Sequence, residues 1–232
     1  MKYSEITHFH HPEHTLKLET SKLPFRCNGC SEMGIGSRYK FDICNYDLHL
    51  QCALPSPTIS HPFYVKCSFT FLSQPPGPNP RFCNACRSDL LGFGYHCHKC
   101  GFDLHPCCAK LPMEISDGEI STRMCLYRKV WSKCYKCGRR GRSWSYRSRC
   151  KRYSLHVACA REMVVEGWMM DGMGFGRSDG GGGGGWLALG GGGGRGEKGL
   201  MKRGCEVVLQ IVVSAVVGDP AALIAGVIGS LI

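Results

Sequence analysis

The chain has 232 residues, 17 cysteines, 10 histidines and a formal net charge of +11. That length suits one ordinary domain or several small domains that metal ions or disulfides hold together. A secreted disulfide scaffold is disfavoured, because the N-terminal residues MKYSEITHFHHPEH contain no apolar signal segment. We therefore expect an intracellular protein of the cytoplasm or nucleus whose reduced thiols bind metal.

The first third of the chain opens with histidines and continues with cysteines at metal-ligand spacing. The histidines are His8, His10, His11 and His14, and the ligand types that follow are Cys27, Cys30, Cys44, His49 and Cys52. Leu16 and Leu18 alternate with charged residues, which predicts a half-buried strand. The segment Tyr46–His49 is expected at the start of a short helix or turn, with Leu48 in a small apolar core.

The same frame recurs twice, which predicts three copies of one structural unit. The second copy has Cys83, Cys86, Cys97, Cys100, His105 and Cys108, and the third has Cys134, Cys137, His156 and Cys159. Gaps of two residues let two thiolates converge on one ion, and zinc takes four sulfur or nitrogen ligands tetrahedrally. Leu104 and Leu155 stand at the place of Leu48 and are expected in the core.

The ligand order resembles that of the C1 zinc finger, in the divergent plant form called DC1. The C1 pattern H-x12-C-x2-C-xn-C-x2-C-x4-H-x2-C is matched by His14-x12-Cys27-x2-Cys30 and by Cys44-x4-His49-x2-Cys52, and the resemblance covers about residues 8–165. C1 fingers bind two zinc ions with interleaved ligands. The resemblance therefore implies a small zinc-stabilised α+β fold with three tandem C1/DC1-like fingers, at 8–56, 61–112 and 120–165.

The resemblance implies one complete zinc site in each repeat. The three ligand sets are Cys27, Cys30, His49 and Cys52; Cys83, Cys86, His105 and Cys108; and Cys134, Cys137, His156 and Cys159. Zn²⁺ is thus expected at three sites.

Up to two further sites are expected to be incomplete. In the first repeat His14 and Cys44 remain, Phe41 stands where a cysteine is expected, and His61, His8, His10 or His11 is the candidate fourth ligand. In the second repeat Cys97 and Cys100 remain, Tyr64 stands where a histidine is expected, and His61 or Cys67 is the candidate substitute. No second site is expected in the third repeat.

Arginines and aromatic residues interleave between Arg123 and Arg161, a stretch without Asp or Glu. Such a surface suits nucleic acid or anionic lipid. The alternative is that the aromatic residues form the core and the arginines a solvated face.

Residues 170–200 are rich in glycine and predict a flexible, disordered linker. Residues 205–232 are almost wholly apolar and predict a helical tail that Gly218-Asp219-Pro220 divides into two segments. Each segment is shorter than the about 20 residues that span a bilayer. Membrane attachment and packing against protein both remain open.

We expect a non-enzymatic interaction or signalling module, for example in a stress response, with protein partners and no small-molecule substrate. A redox C-x-x-C enzyme would need a thioredoxin-like context, and a catalytic zinc would need an open coordination position. The ligand order also differs from that of RING-type ligases. Diacylglycerol binding, known for C1 fingers, is not expected. The loop between the first and the second C-x2-C pair of a repeat is shortened, and it lacks the Gln-Gly of lipid-responsive members.

Overall fold

The structure is a computed structural model that describes residues 3–116, 123–129, 131–141, 143–172 and 212. Its described strands form three separate four-stranded antiparallel sheets, one for each sequence repeat. The described part of the chain is thus small and sheet-rich with accompanying helices, which agrees with the prediction of a small α+β fold. The predicted linker beyond residue 172, and the predicted tail apart from Val212, lie outside the described residues.

The first sheet is a meander in which each strand pairs with the next one in the chain. Its elements are β1 (Glu5–His8), β2 (His11–Arg26), β3 (Met33–Phe41), β4 (Tyr46–His49) and the one-turn helix α1 (Leu50–Ala53). Leu16 of β2 is fully buried and Leu18 packs against the same apolar cluster. The pairing of β2 with β3 is interrupted between Ser21 and Phe25, where the register shifts.

The second and third sheets repeat this plan with shorter strands. The second repeat has β5 (Thr58–Ile59), a 3-10 turn (Pro62–Tyr64), β6 (Phe69–Leu72), β7 (Gly94–His96), β8 (Asp103–Leu104) and α2 (Pro106–Ala109). The third has β9 (Glu114–Ile115), β10 (Met124–Tyr127), β11 (Ser145–Ser148), β12 (Ser154–His156) and α3 (Val157–Gly172). No described helix is both long and apolar enough to cross a membrane.

The segment Tyr46–His49 is a strand, and the prediction that it starts a helix or turn is corrected here. All four of its residues are buried, and the helix begins only at Leu50 because His49 keeps an extended backbone with ψ of 151°. Strand and helix together point the histidine and the following Cys52 towards the same space. Leu48, Leu104 and Leu155 are buried in the core as predicted.

Each later repeat inserts an aromatic side chain into the repeat before it. Phe93 belongs to the second repeat but is buried in the apolar cluster of the first, where its backbone N–H donates to the Gly29 carbonyl at 2.8 Å. Trp144 of the third repeat is buried against the second, and its backbone N–H donates to the Ala85 carbonyl at 2.9 Å. In the aligned repeats Trp144 corresponds to Phe93, and Ala85 corresponds to Gly29. The same contact is therefore made at both junctions between repeats.

Phe93→Ala is expected to lower the free energy of unfolding by about 3–5 kcal/mol, because a fully buried ring leaves a cavity between two repeats. The measurement is urea unfolding of the zinc-loaded chain. Phe82→Ala is the matched control, since Phe82 is 43% exposed. A loss for Phe93→Ala no larger than that for Phe82→Ala would contradict the buried junction.

Candidate metal centres

Among the residues that the structure describes, three four-residue clusters of cysteine and histidine lie in corresponding places of the three repeats. They are Cys27, Cys30, His49 and Cys52; Cys83, Cys86, His105 and Cys108; and Cys134, Cys137, His156 and Cys159. Within each cluster the candidate ligand atoms lie within 4.8 Å of one another. All of these residues are buried except Cys137, which is half-buried.

The spacing within the clusters fits a tetrahedral zinc ion. Zn–S bonds of about 2.3 Å and Zn–N bonds of about 2.0–2.1 Å separate a sulfur from a nitrogen ligand by about 3.6 Å. The His49 Nδ1 lies 3.4 Å from Cys30 Sγ and 3.9 Å from Cys52 Sγ. The His156 Nδ1 lies 3.4 Å from Cys137 Sγ and 3.6 Å from Cys159 Sγ. These Cys3His sets can therefore hold zinc without rearrangement.

The paired cysteines sit on the same tight turn in every repeat. The N–H of the fourth residue after the first cysteine donates to that cysteine's carbonyl, at 2.9 Å from Ser31 to Cys27, 2.8 Å from Arg87 to Cys83 and 2.9 Å from Gly138 to Cys134. The donating residues have left-handed φ values of 62°, 70° and 66°. This conformation favours glycine, and only the third repeat has glycine there. The turn lets both sulfurs face one point.

Buried sulfurs and imidazoles strongly shift one another's protonation. A hydrogen bond from Cys159 lowers the pKa of Cys134 to about 3, and the same bond raises the pKa of Cys159. Burial by itself would lower the pKa of His105, but the charge of Cys83 raises it well above its usual value. Each cluster thus concentrates negative charge on sulfur, which a divalent cation stabilises more fully than a proton does.

Two smaller clusters correspond to the predicted incomplete sites. The first brings together His11, His14 and Cys44. The His14 Nδ1 lies 2.9 Å from His11 Nε2 and 3.8 Å from Cys44 Sγ. Phe41 stacks on the His14 ring with centroids 4.2 Å apart, so the residue that replaces a cysteine faces the cluster directly.

The second of these clusters brings together Cys67, Cys97 and Cys100. The 3-10 turn at Pro62–Tyr64 positions Cys67, whose N–H donates to the Tyr64 carbonyl at 2.9 Å. Burial and the neighbouring sulfurs raise the pKa of Cys100 to about 12. Of the two predicted substitutes, the structure brings Cys67 to this cluster.

His61, His8 and His10 stand apart from the clusters formed by the described residues. The prediction of His61 as a ligand is corrected, because its Nδ1 accepts the Phe63 N–H at 3.1 Å and its ring lies 4.7 Å from that of Trp144. His8 Nε2 lies 3.2 Å from the Cys52 carbonyl. His10 Nδ1 lies 2.8 Å from the Tyr46 hydroxyl. Of the four histidines that were candidate ligands beside His14 and Cys44, the structure brings His11 to that cluster.

Sequence reasoning missed two charged residues beside the second cluster. Glu32 of the first repeat lies 3.2 Å from His105 Nε2, and Arg161 of the third repeat donates to Cys108 Sγ at 3.4 Å. Neither residue belongs to a ligand motif, and each lies far along the chain from the group it contacts. No local pattern signals such contacts.

Comparison with known protein families gives a match to two of the three repeats. The C1 domain matches residues 9–53 and 60–109, which hold the first and second four-residue clusters and both smaller ones. Comparison with curated proteins and with solved structures gave no match. The two matched segments and their Cys/His clusters together identify residues 9–53 and 60–109 as two divergent C1-like zinc-finger repeats.

Proposed function

We propose that the chain is a non-enzymatic interaction module in which three C1-type fingers, each built around a structural zinc ion, form one array. The observation that carries the proposal is the set of three Cys3His clusters with four protein ligands each. Four protein ligands fill the tetrahedral shell and leave no position for a substrate or water. The zinc ions accordingly stabilise the fold, and binding to partner proteins in signalling takes place on the outer surface.

The third repeat is proposed as a finger although the family match ends at residue 109. Support comes from its cluster, its cysteine turn and its four-stranded sheet, which parallel those of the matched repeats. Intracellular location is proposed as well. All described cysteines are free thiols, the state that a reducing compartment maintains and that zinc binding needs.

Diacylglycerol is not proposed as a ligand. The first repeat has a cleft of about 640 Å³ whose lining includes Arg26, Arg38 and Asp47. The Arg38 Nε lies 3.2 Å from Asp47 Oδ1. A charged lining of this kind disfavours the acyl portion of a lipid, because apolar chains do not offset the desolvation of an ion pair.

Binding of a nucleic acid through the basic segment Arg123–Arg161 is the second candidate function. Trp131 is 68% exposed and Tyr135 is 56% exposed, so bases can reach both rings. The Lys129 ammonium lies 4.5 Å from the Trp131 ring centroid and adds positive charge beside it. Trp144 and Tyr146 are buried and belong to the core instead. Anionic lipid is an alternative ligand for the same surface.

Membrane attachment through residues 205–232 also remains a proposal. Val212, the part of the tail that the structure describes, is fully buried in the apolar cluster shared by the second and third repeats. That contact favours packing against protein at this position.

Cys134→Ser is expected to reduce the number of tightly bound zinc ions by one, because it removes one of four ligands from the third cluster. Native mass spectrometry of the full chain gives the count. Cys150→Ser is the control, since Cys150 is exposed and lies outside the described clusters. An unchanged count for Cys134→Ser would remove the third finger from the proposal.

Phe41→Cys is expected to tighten zinc binding at His11, His14 and Cys44, because it supplies a thiolate where the aromatic ring now stacks. The measurement is zinc retention during competition with a chromogenic chelator, and Phe41→Ser serves as the control. Equal retention by the two variants would mean that the cluster cannot close around an ion.

If the basic segment binds nucleic acid, Trp131→Ala is expected to weaken binding of a single-stranded oligonucleotide by about 1–3 kcal/mol, the usual contribution of one stacked base. Fluorescence anisotropy at several salt concentrations measures both the affinity and its salt dependence. Tyr3→Ala is the control, because Tyr3 is 65% exposed and lies outside the segment. Absence of binding at low salt would rule this candidate out.

A further inference from the structure

The guanidinium of Arg161 is buried where the three repeats meet. Arg161 lies in the first turns of α3 in the third repeat, and only 6% of its surface is exposed. Its Nη1 donates to the carboxylate of Glu32 in the first repeat. Its Nη2 lies 2.9 Å from Cys107 Sγ and 3.4 Å from Cys108 Sγ in the second repeat. One side chain therefore contacts all three repeats.

A buried guanidinium requires anionic partners, because removal of its charge from water costs several kcal/mol. A zinc ion with three thiolates and one neutral imidazole carries a net charge of about −1. Cys108 is one of those thiolate ligands in the second cluster. The occupied centre would thus supply negative charge directly at the Arg161 Nη2.

Glu32 approaches the same centre from the opposite side of the imidazole. Its Oε1 lies 3.2 Å from His105 Nε2, which also lies 3.1 Å from the Asp89 carbonyl. The His105 Nδ1 faces the ligand cluster, 3.4 Å from Cys86 Sγ. Oxygen acceptors on the far nitrogen fix the ring and its tautomer, which is how partners outside the ligand shell strengthen histidine–metal bonds.

The other repeats do not place equivalent residues at their own junctions. The repeat offset places Ser88 at the position of Glu32, and Lys110 at the position of Arg161. Lys110 is exposed. The pair of contacts from Glu32 and Arg161 is therefore a feature of the second metal centre, which lies between the first and third repeats.

We infer that Glu32 and Arg161 are positioning residues that complete the second metal centre from the two neighbouring repeats, so that zinc at this centre couples the docking of all three. The inference rests on the proposed function, because it presupposes zinc at the second cluster. By thermodynamic linkage, if docked neighbours strengthen zinc binding, bound zinc strengthens docking by the same factor.

The test compares zinc-loaded full-length chains carrying Arg161→Gln, Arg161→Lys or Glu32→Gln. N-ethylmaleimide labelling in the presence of a chelator, followed by peptide mass spectrometry, reports the rate at which each ligand cysteine becomes exposed. We expect Cys83, Cys86 and Cys108 to be labelled about 10–100-fold faster in Arg161→Gln and Glu32→Gln, the usual effect of removing such partners. Arg161→Lys should give a smaller increase, because it keeps the charge but loses the planar donor fork.

Arg149→Gln and Glu5→Gln are the matched controls. They remove the same charges from exposed positions and should leave the labelling rates unchanged. Equal rates in Arg161→Gln and Arg149→Gln would overturn the inference. A uniform acceleration at all three clusters would also overturn it, because it would indicate general loosening. A wild-type chain that holds no zinc at the second cluster would instead reject the proposed function.

Discussion

The fold depends on concentrating thiolate and imidazole ligands in buried positions, where each set of four replaces the larger apolar core of an ordinary domain. Strands of two to four residues dominate the second and third sheets, and such short strands bury little apolar surface. A structural zinc contributes on the order of 10–16 kcal/mol in small zinc-binding peptides, which is comparable with the total stability of a whole domain. Loss of the zinc ions is therefore expected to leave each repeat without enough stabilising free energy to fold.

Neighbouring repeats supply the rest of the apolar burial. Phe93 and Trp144 each enter the preceding repeat beside its cysteine turn, with a backbone hydrogen bond to residue Gly29 or Ala85. A Cβ at Gly29 would lie 2.5 Å from a carbon of the Phe93 ring, which explains the glycine at that junction. Because the aromatic ring lies close to the turn that carries two ligands, packing between repeats and metal binding stabilise the same few residues.

The sequence was most informative where chemistry requires fixed spacing. Two-residue gaps between ligands predicted all three four-residue clusters, because a single tight turn must aim both sulfurs at one point. The smaller clusters were predicted only in part, since HPEH and HPFY look alike while their histidines differ in role. His11 lies beside His14, whereas His61 caps a 3-10 turn under Trp144. Contacts such as Arg161 with Glu32 join residues 129 positions apart, and no periodic pattern encodes them.

The smaller clusters are lost along the chain, whereas the contacts between neighbouring repeats are kept. The first two repeats each keep three candidate ligands, whereas no second cluster occurs among the described residues of the third. The third repeat is held to the second by Trp144, and the Tyr146 hydroxyl donates to the Pro112 carbonyl at 2.7 Å. The second repeat makes the same two contacts with the first, through Phe93 and through the Tyr95 hydroxyl, which donates to the Ser56 carbonyl at 2.9 Å. The third repeat adds one contact to this shared set, because Arg161 of its helix joins it to Glu32 of the first repeat and to Cys108 of the second.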